Sequence, residues 1–212
     1  MTTRREASED EAIRQILDRI DGDQNVSQRD LADELGVALG MVNAYIKRCV
    51  HKGLVKIQQV PRRRYRYYLT PQGFAEKSRL TAQYLSDSFG ALRRGLSSFD
   101  RLYGDLAEAG HCRVILCGDD ELVEVGILSS LSTPVEIVGV FNPLGTSHTV
   151  RGVPAIDPSD PPEADRWVLA VAKNGEEAFA KLEEIVPADR IIMPDVLHLY
   201  MLRSSSADRG AA

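Results

Sequence analysis

Three consecutive arginines, Arg62, Arg63 and Arg64, stand between two short strand-forming runs, residues 54–58 and 65–69, with Arg66 just beyond. A hairpin tip that presents guanidinium groups suits a polyanion, because each can pair bidentately with a phosphate or enter a narrow minor groove. Lys47, Arg48 and His51 come shortly before, at helical spacing. Covalent chemistry has much less support. His111, His148 and His198 are scattered, and Cys49, Cys112 and Cys117 have no CxxC spacing. Neither a GxSxG nor a P-loop occurs. The sequence therefore offers no catalytic residues, no metal ligands and no cofactor motif, and the cysteines read as small buried hydrophobes.

The elements that must carry the basic residues are legible in the pattern. Ile13, Ile16, Leu17 and Ile20 recur at helical spacing up to Gly22. Ser27 reads as the N-cap of a short helix over 28–35, stopped by Gly36. A second helix follows over about 39–52, ending at Gly53. Leu31, Leu35, Val37, Val42, Tyr45, Ile46, Cys49 and Val50 point inward, which is the spacing of a helix-turn-helix, although any helical hairpin shares much of it. Ala38 falls where a capping Ser or Thr is expected. A hairpin directly after such a pair makes a winged helix.

On the second helix the outward positions Met41, Asn43, Ala44 and Lys47 are candidates for base edges, with Asn43 suited to adenine and Lys47 to guanine. Gln28, Arg48, His51, Arg62, Arg63, Arg64 and Arg66 are the remaining DNA candidates, mostly toward phosphates. His51 reads equally well as a plain surface residue.

The net charge of −5 conceals an asymmetry: residues 1–95 carry 17 Lys+Arg against 12 Asp+Glu, and residues 96–212 carry 9 against 19. DNA responds to local charge, so a basic first half and an acidic second half suit different partners. No apolar run approaches a membrane span, and the start is charged, so the sequence predicts a cytoplasmic chain with no membrane partner.

The runs Ser27-Gln28-Arg29-Asp30-Leu31-Ala32, Leu39-Gly40-Met41-Val42-Asn43, Lys52-Gly53-Leu54-Val55-Lys56 and Leu69-Thr70-Pro71-Gln72-Gly73 resemble MarR-like winged-helix regulators. The similarity covers about residues 10–85 and is strongest to the exopolysaccharide-associated branch. Ala38 and Met41 depart from the Ser and Lys usual there. The resemblance implies control of surface-polysaccharide genes through double-stranded DNA.

After Gly73, Leu85, Phe89, Leu92, Leu96, Phe99, Tyr103 and Leu106 alternate spacings of four and three. That stripe predicts a connector helix that pairs with a second copy as a homodimer, or that packs on its own C-terminal domain. Beyond it, apolar strands at 113–118, 135–141, 167–172 and 190–193 alternate with helices at 121–131 and 176–185, which indicates a parallel α/β sheet. Ligands of such sheets bind at the carboxyl ends of the strands, here Gly118-Asp119-Asp120, Asn142-Pro143 and Lys173-Asn174. A GxGxxG is missing: only Gly118 remains, followed by carboxylates that would repel a pyrophosphate. In layout this half resembles the Rossmann-like N-terminal domain of sugar acyltransferases and the redox-sensing Rex repressors. That likeness implies a nucleotide-sugar effector, while a degenerate domain that only dimerises or recruits a protein partner is the alternative.

The fold expected is an α+β winged helix, then a long connector helix and an α/β Rossmann-like domain with a mostly parallel sheet. Its boundaries are 6–73 for the DNA-binding domain, 74–110 for the connector, 111–202 for the effector domain and 203–212 for a disordered tail.

Overall fold

The computed structural model describes residues 4–60, 64–118 and 121–197. Arg62, Arg63, Asp119, Asp120, His198 and the tail 203–212 lie outside the described residues, as does the side chain of Arg64. The chain forms two compact units, Met1–Phe89 and Gly90–Ala212.

The first unit begins with α1 (Arg4–Gly22), α2 (Gln28–Leu35) and α3 (Leu39–His51). Ile13, Ile16, Leu17 and Ile20 of α1 are buried against Leu31, Val42, Ile46 and Cys49, the face that the spacing predicts. The start of α2 is a reciprocal cap: the Ser27 hydroxyl accepts from the Asp30 N–H, and the Asp30 carboxylate accepts from the Ser27 N–H, both at 3.1 Å. Gly36 ends α2 with φ 63°, a left-handed conformation that a Cβ would strain. Val50 departs from the expected inward position. It lies on the flank of the Val42–Ile46–Cys49 stripe and is exposed.

Strands β1 (Val55–Val60) and β2 (Arg64–Leu69) pair antiparallel as the wing, with Ile57 opposite Tyr67 and Gln58 opposite Arg66. The wing is tied to the α1–α2 loop: the Tyr67 N–H donates to the Gln24 carbonyl at 3.0 Å, and Arg66 Nε to Asn25 Oδ1 at 2.9 Å. The junction after β2 explains the Leu69-Thr70-Pro71-Gln72-Gly73 element. Thr70 Oγ1 donates toward the Gly53 carbonyl at 2.7 Å and accepts the Gly73 N–H at 2.9 Å. Gly73 passes so close to Leu54 that a Cβ there would stand 2.0 Å from its carbonyl oxygen.

A single helix, α4 (Pro71–Glu108), runs out of the first unit and into the second. Its first part is fixed to α1 by Lys77, whose ammonium meets Asp21 at 2.8 Å and Asp18 at 2.9 Å, and by Leu80 in the core. Arg14 lies 4.6 Å above the Tyr84 ring.

The second unit is a four-stranded parallel sheet in the order β4-β3-β5-β6, from β3 (Arg113–Cys117), β4 (Glu136–Phe141), β5 (Arg166–Leu169) and β6 (Ile191–Ile192). Alternate residues of β3 enter two different cores. Val114 and Leu116 pack with Phe99, Tyr103 and Leu106 of α4 and with α5 (Glu121–Ser130). Ile115 and Cys117 pack with Trp167, Leu169 and α6 (Gly175–Glu183). Helices thus cover both faces, as continuous apolar strands require. Gly126 lets α5 approach α4, since a Cβ would stand 2.9 Å from Phe99. Residues 142–165, between β4 and β5, carry no helix. The backbone of 154–156 instead lies along β4, with the Val140 N–H donating to the Pro154 carbonyl at 2.9 Å.

Acidification should weaken the fold through a few identifiable carboxylates. The Arg14 guanidinium holds Glu11 below its ordinary 4.5, Arg79 does the same for Glu76, and the bonds from Ser27 lower Asp30 from 3.8. Because the folded values lie below the unfolded ones, their stabilisation is complete above the ordinary values and disappears as pH falls through the folded ones. Melting temperature should stay level from neutral pH down to about 5 and then fall below about 4.5. A loss already complete by pH 6 would contradict the assignment to these carboxylates.

Candidate nucleic-acid interface

The buried stripe of α3 fixes what its other face presents. With Val42, Ile46 and Cys49 inward, Met41, Ala44, Lys47, Arg48 and His51 recur outward at spacings of three and four, and all are exposed. A recognition helix that enters a major groove presents such an exposed face, with its N-terminal residues nearest the bases. Asn43, expected outward, is half-buried on the edge of the stripe. Arg48 forms an ion pair with Glu9 of α1, so its charge is partly neutralised locally. Ala38 provides no side-chain cap, which leaves the first backbone N–H groups of α3 free of one. Uncapped N–H groups at a helix start are a ready anion site.

The wing contributes a second basic surface. Strand alternation puts Lys56 and Gln58 of β1 on the same face as Arg66 and Tyr68 of β2, with the Tyr68 hydroxyl donating to Gln58 Oε1 at 2.9 Å. Lys56 was not among the residues expected to meet DNA; its period-two relation to Arg66 was the available signal. Arg66 is exposed, and its Nε donates to Asn25. Gln28 is half-buried and donates to the Tyr67 hydroxyl at 3.0 Å, so it orients the wing base.

Cys49 lies beneath α3, and burial pushes its thiol up to about 11. Cys117 is likewise raised by burial, so neither thiol is set up as a nucleophile. Among the described residues no group of His, Cys, Asp or Glu is placed to hold a metal ion. No helix among them is long and apolar enough to cross a membrane.

In the second unit the strand order reverses between β3 and β5, and the carboxyl ends there are Gly118 and the segment leading to Lys173 and Asn174. Gly118 is required by packing, since a Cβ would stand 2.6 Å from the Ala170 carbonyl oxygen. Lys173 and Asn174 are exposed. Asn142 and Pro143, expected to present groups to a ligand, are buried. Asn142 Oδ1 accepts the Leu144 N–H at 2.9 Å, and its own N–H donates to Ser147 Oγ, so this side chain shapes its loop. Glu124 pairs with Arg151 at 2.7 Å.

The connector stripe divides in two. Leu85, Phe89 and Leu92 are exposed by 46, 56 and 39%. Leu96 is partly buried, and Phe99, Tyr103 and Leu106 are buried in the core of the second unit, so the pairing expectation is withdrawn for those three. The Tyr103 hydroxyl donates to the Gly126 carbonyl at 3.2 Å, which fixes α4 to α5.

Residues 9–56 match the family of winged helix-turn-helix DNA-binding domains. That span runs from α1 through α3 into β1 and includes the exposed α3 stripe. No curated protein matches the chain.

Proposed function

We propose that the chain is a homodimeric transcription regulator, whose α3 and wing read a two-fold related DNA site and whose second unit responds to a small ligand. The observation that carries this reading is the exposed row Met41, Ala44, Lys47, Arg48 and His51 on α3, beside a wing with Lys56 and Arg66. In this reading Met41, Asn43, Ala44 and Lys47 face base edges, and Arg48, His51, Arg62, Arg63, Arg64 and Arg66 face phosphates. The resemblance to exopolysaccharide-associated regulators supports surface-polysaccharide genes as targets, and the likeness of the second half to sugar acyltransferase domains supports a nucleotide sugar as effector.

Dimerisation rests on Leu85, Phe89 and Leu92, three large apolar side chains left exposed over two turns of α4. Burying each against a second copy would contribute on the order of 1.5–3 kcal/mol before the cost of association. Changing Leu85 and Phe89 together to Glu should shift the protein from dimer to monomer in sedimentation. Affinity for a duplex with two half-sites should fall at least tenfold, with little change for a single half-site. An unchanged sedimentation coefficient would move the dimer contact elsewhere.

The second reading, a DNA-binding scaffold with an inert α/β unit, is favoured by the carboxylates Glu121 and Glu124 where a dinucleotide's phosphates would sit. Thermal melting against nucleotide sugars and sugar phosphates separates the two readings. A saturable upward shift supports the ligand-responsive regulator, and no shift with any of them supports the scaffold.

A further inference from the structure

A cavity of about 440 Å³ in the second unit is lined by none of the strand-end residues. Arg93, Arg94, Ser97 and Arg101 of α4 form one side, and Asp195 and Val196, which follow β6, form the other. Arg94, Ser97 and Arg101 are spaced by three and four, so they share a helix face, roughly opposite Phe99 and Tyr103. Residues 90–212 carry 11 Lys+Arg against 19 Asp+Glu, so a cluster of arginines here runs against the local charge balance.

The arginines are available. Among the described residues Arg93 and Arg94 are exposed and have no hydrogen-bond or ion-pair partner. Arg101 meets Asp195 at 3.3 Å, but both side chains are more than 60% exposed, and such pairs are weak and easily reorganised. The far wall is fixed, because the Val196 N–H donates to the buried Ser98 Oγ at 3.0 Å. Gly90 lines the cavity too, and a Cβ there would stand 3.4 Å from the Arg94 guanidinium.

We propose that this cavity binds a small organic phosphate of the sugar-phosphate class. Arg93, Arg94 and the Ser97 hydroxyl hold the phosphate oxygens, and the Asp195 carboxylate accepts hydrogen bonds from sugar hydroxyls. The volume lies toward the lower part of the range for ligand sites, roughly 300–1,000 Å³, and suits a monosaccharide phosphate. A duplex backbone fits less well, since its successive phosphates would have to pass the Asp195 carboxylate inside a concavity. The proposal rests on the second unit being the ligand-responsive half, and it names the ligand class and the site.

Calorimetric titration of the full chain, without DNA, tests it with glucose 1-phosphate, glucose 6-phosphate, inorganic phosphate and glucose. At least one sugar phosphate should bind saturably, one per chain and at least tenfold tighter than inorganic phosphate, with no binding of glucose. Arg93→Gln with Arg94→Gln should weaken it at least tenfold at an unchanged melting temperature. Absence of saturable binding, equal affinity for inorganic phosphate, or full affinity in the double variant would each overturn the proposal. So would a double variant that loses DNA affinity while no sugar phosphate binds, which would make the patch a DNA contact. A nucleotide-sugar melting shift that survives the double variant would overturn this site alone and leave the ligand-responsive reading standing.

Discussion

Changing Arg62, Arg63 and Arg64 together to Ala should lower affinity for duplex DNA about a hundredfold near 0.15 M salt and flatten its salt dependence. Each phosphate neutralised on B-DNA contributes a slope of roughly 0.9 in the log–log plot, so three lost contacts should make it shallower by about 2.7. The loss should be nearly uniform across sequences, because phosphates carry no sequence information. Anisotropy titrations of one labelled duplex at several salt concentrations measure both quantities. An unchanged slope would mean that these arginines do not meet phosphates, whatever the affinity does.

The second large effect is expected from one methyl group. Gly73→Ala would place a Cβ 2.0 Å from the Leu54 carbonyl oxygen and 3.0 Å from a Leu69 methyl. Neither backbone oxygen nor helix start can move freely, because Thr70 Oγ1 bonds the Gly53 carbonyl and the Gly73 N–H at the same junction. The substitution should destabilise the first unit by about 3 kcal/mol or more, a magnitude reserved for a few mechanisms, of which backbone overpacking is one. Chemical denaturation followed by circular dichroism measures this, and DNA affinity should fall with it. Stability like that of the wild type would show that the junction relaxes in a way the Thr70 bonds do not suggest.

The elements most legible in the sequence are those whose determinants are local. Ser27 and Gly36 bracket α2 as expected, because a cap and a left-handed terminus depend on residues within one turn. The parallel sheet follows from runs of apolar residues too continuous for one-sided burial. The connector stripe was harder. Leu85 and Tyr103 belong to one heptad pattern, yet one is exposed and the other buried, since periodicity reports an apolar face and not what covers it. The place of Asn142 after β4 is legible in the strand pattern, whereas the Leu144 N–H that its Oδ1 accepts is not. The Arg93–Arg101 cluster reads as a solvated helix face until Asp195 and Val196 are brought back to it by β6, nearly a hundred residues later. No window along the chain contains that juxtaposition.

The most direct test of DNA recognition is selection of bound duplexes from a random pool with the 212-residue chain at low salt, followed by sequencing. The expected result is an enriched inverted repeat, its half-sites about 10 base pairs apart or a multiple of that, with retention falling steeply as salt is raised. Failure to retain any duplex at about 50 mM salt, where phosphate contacts are strongest, would contradict the assignment of α3 and the wing to DNA.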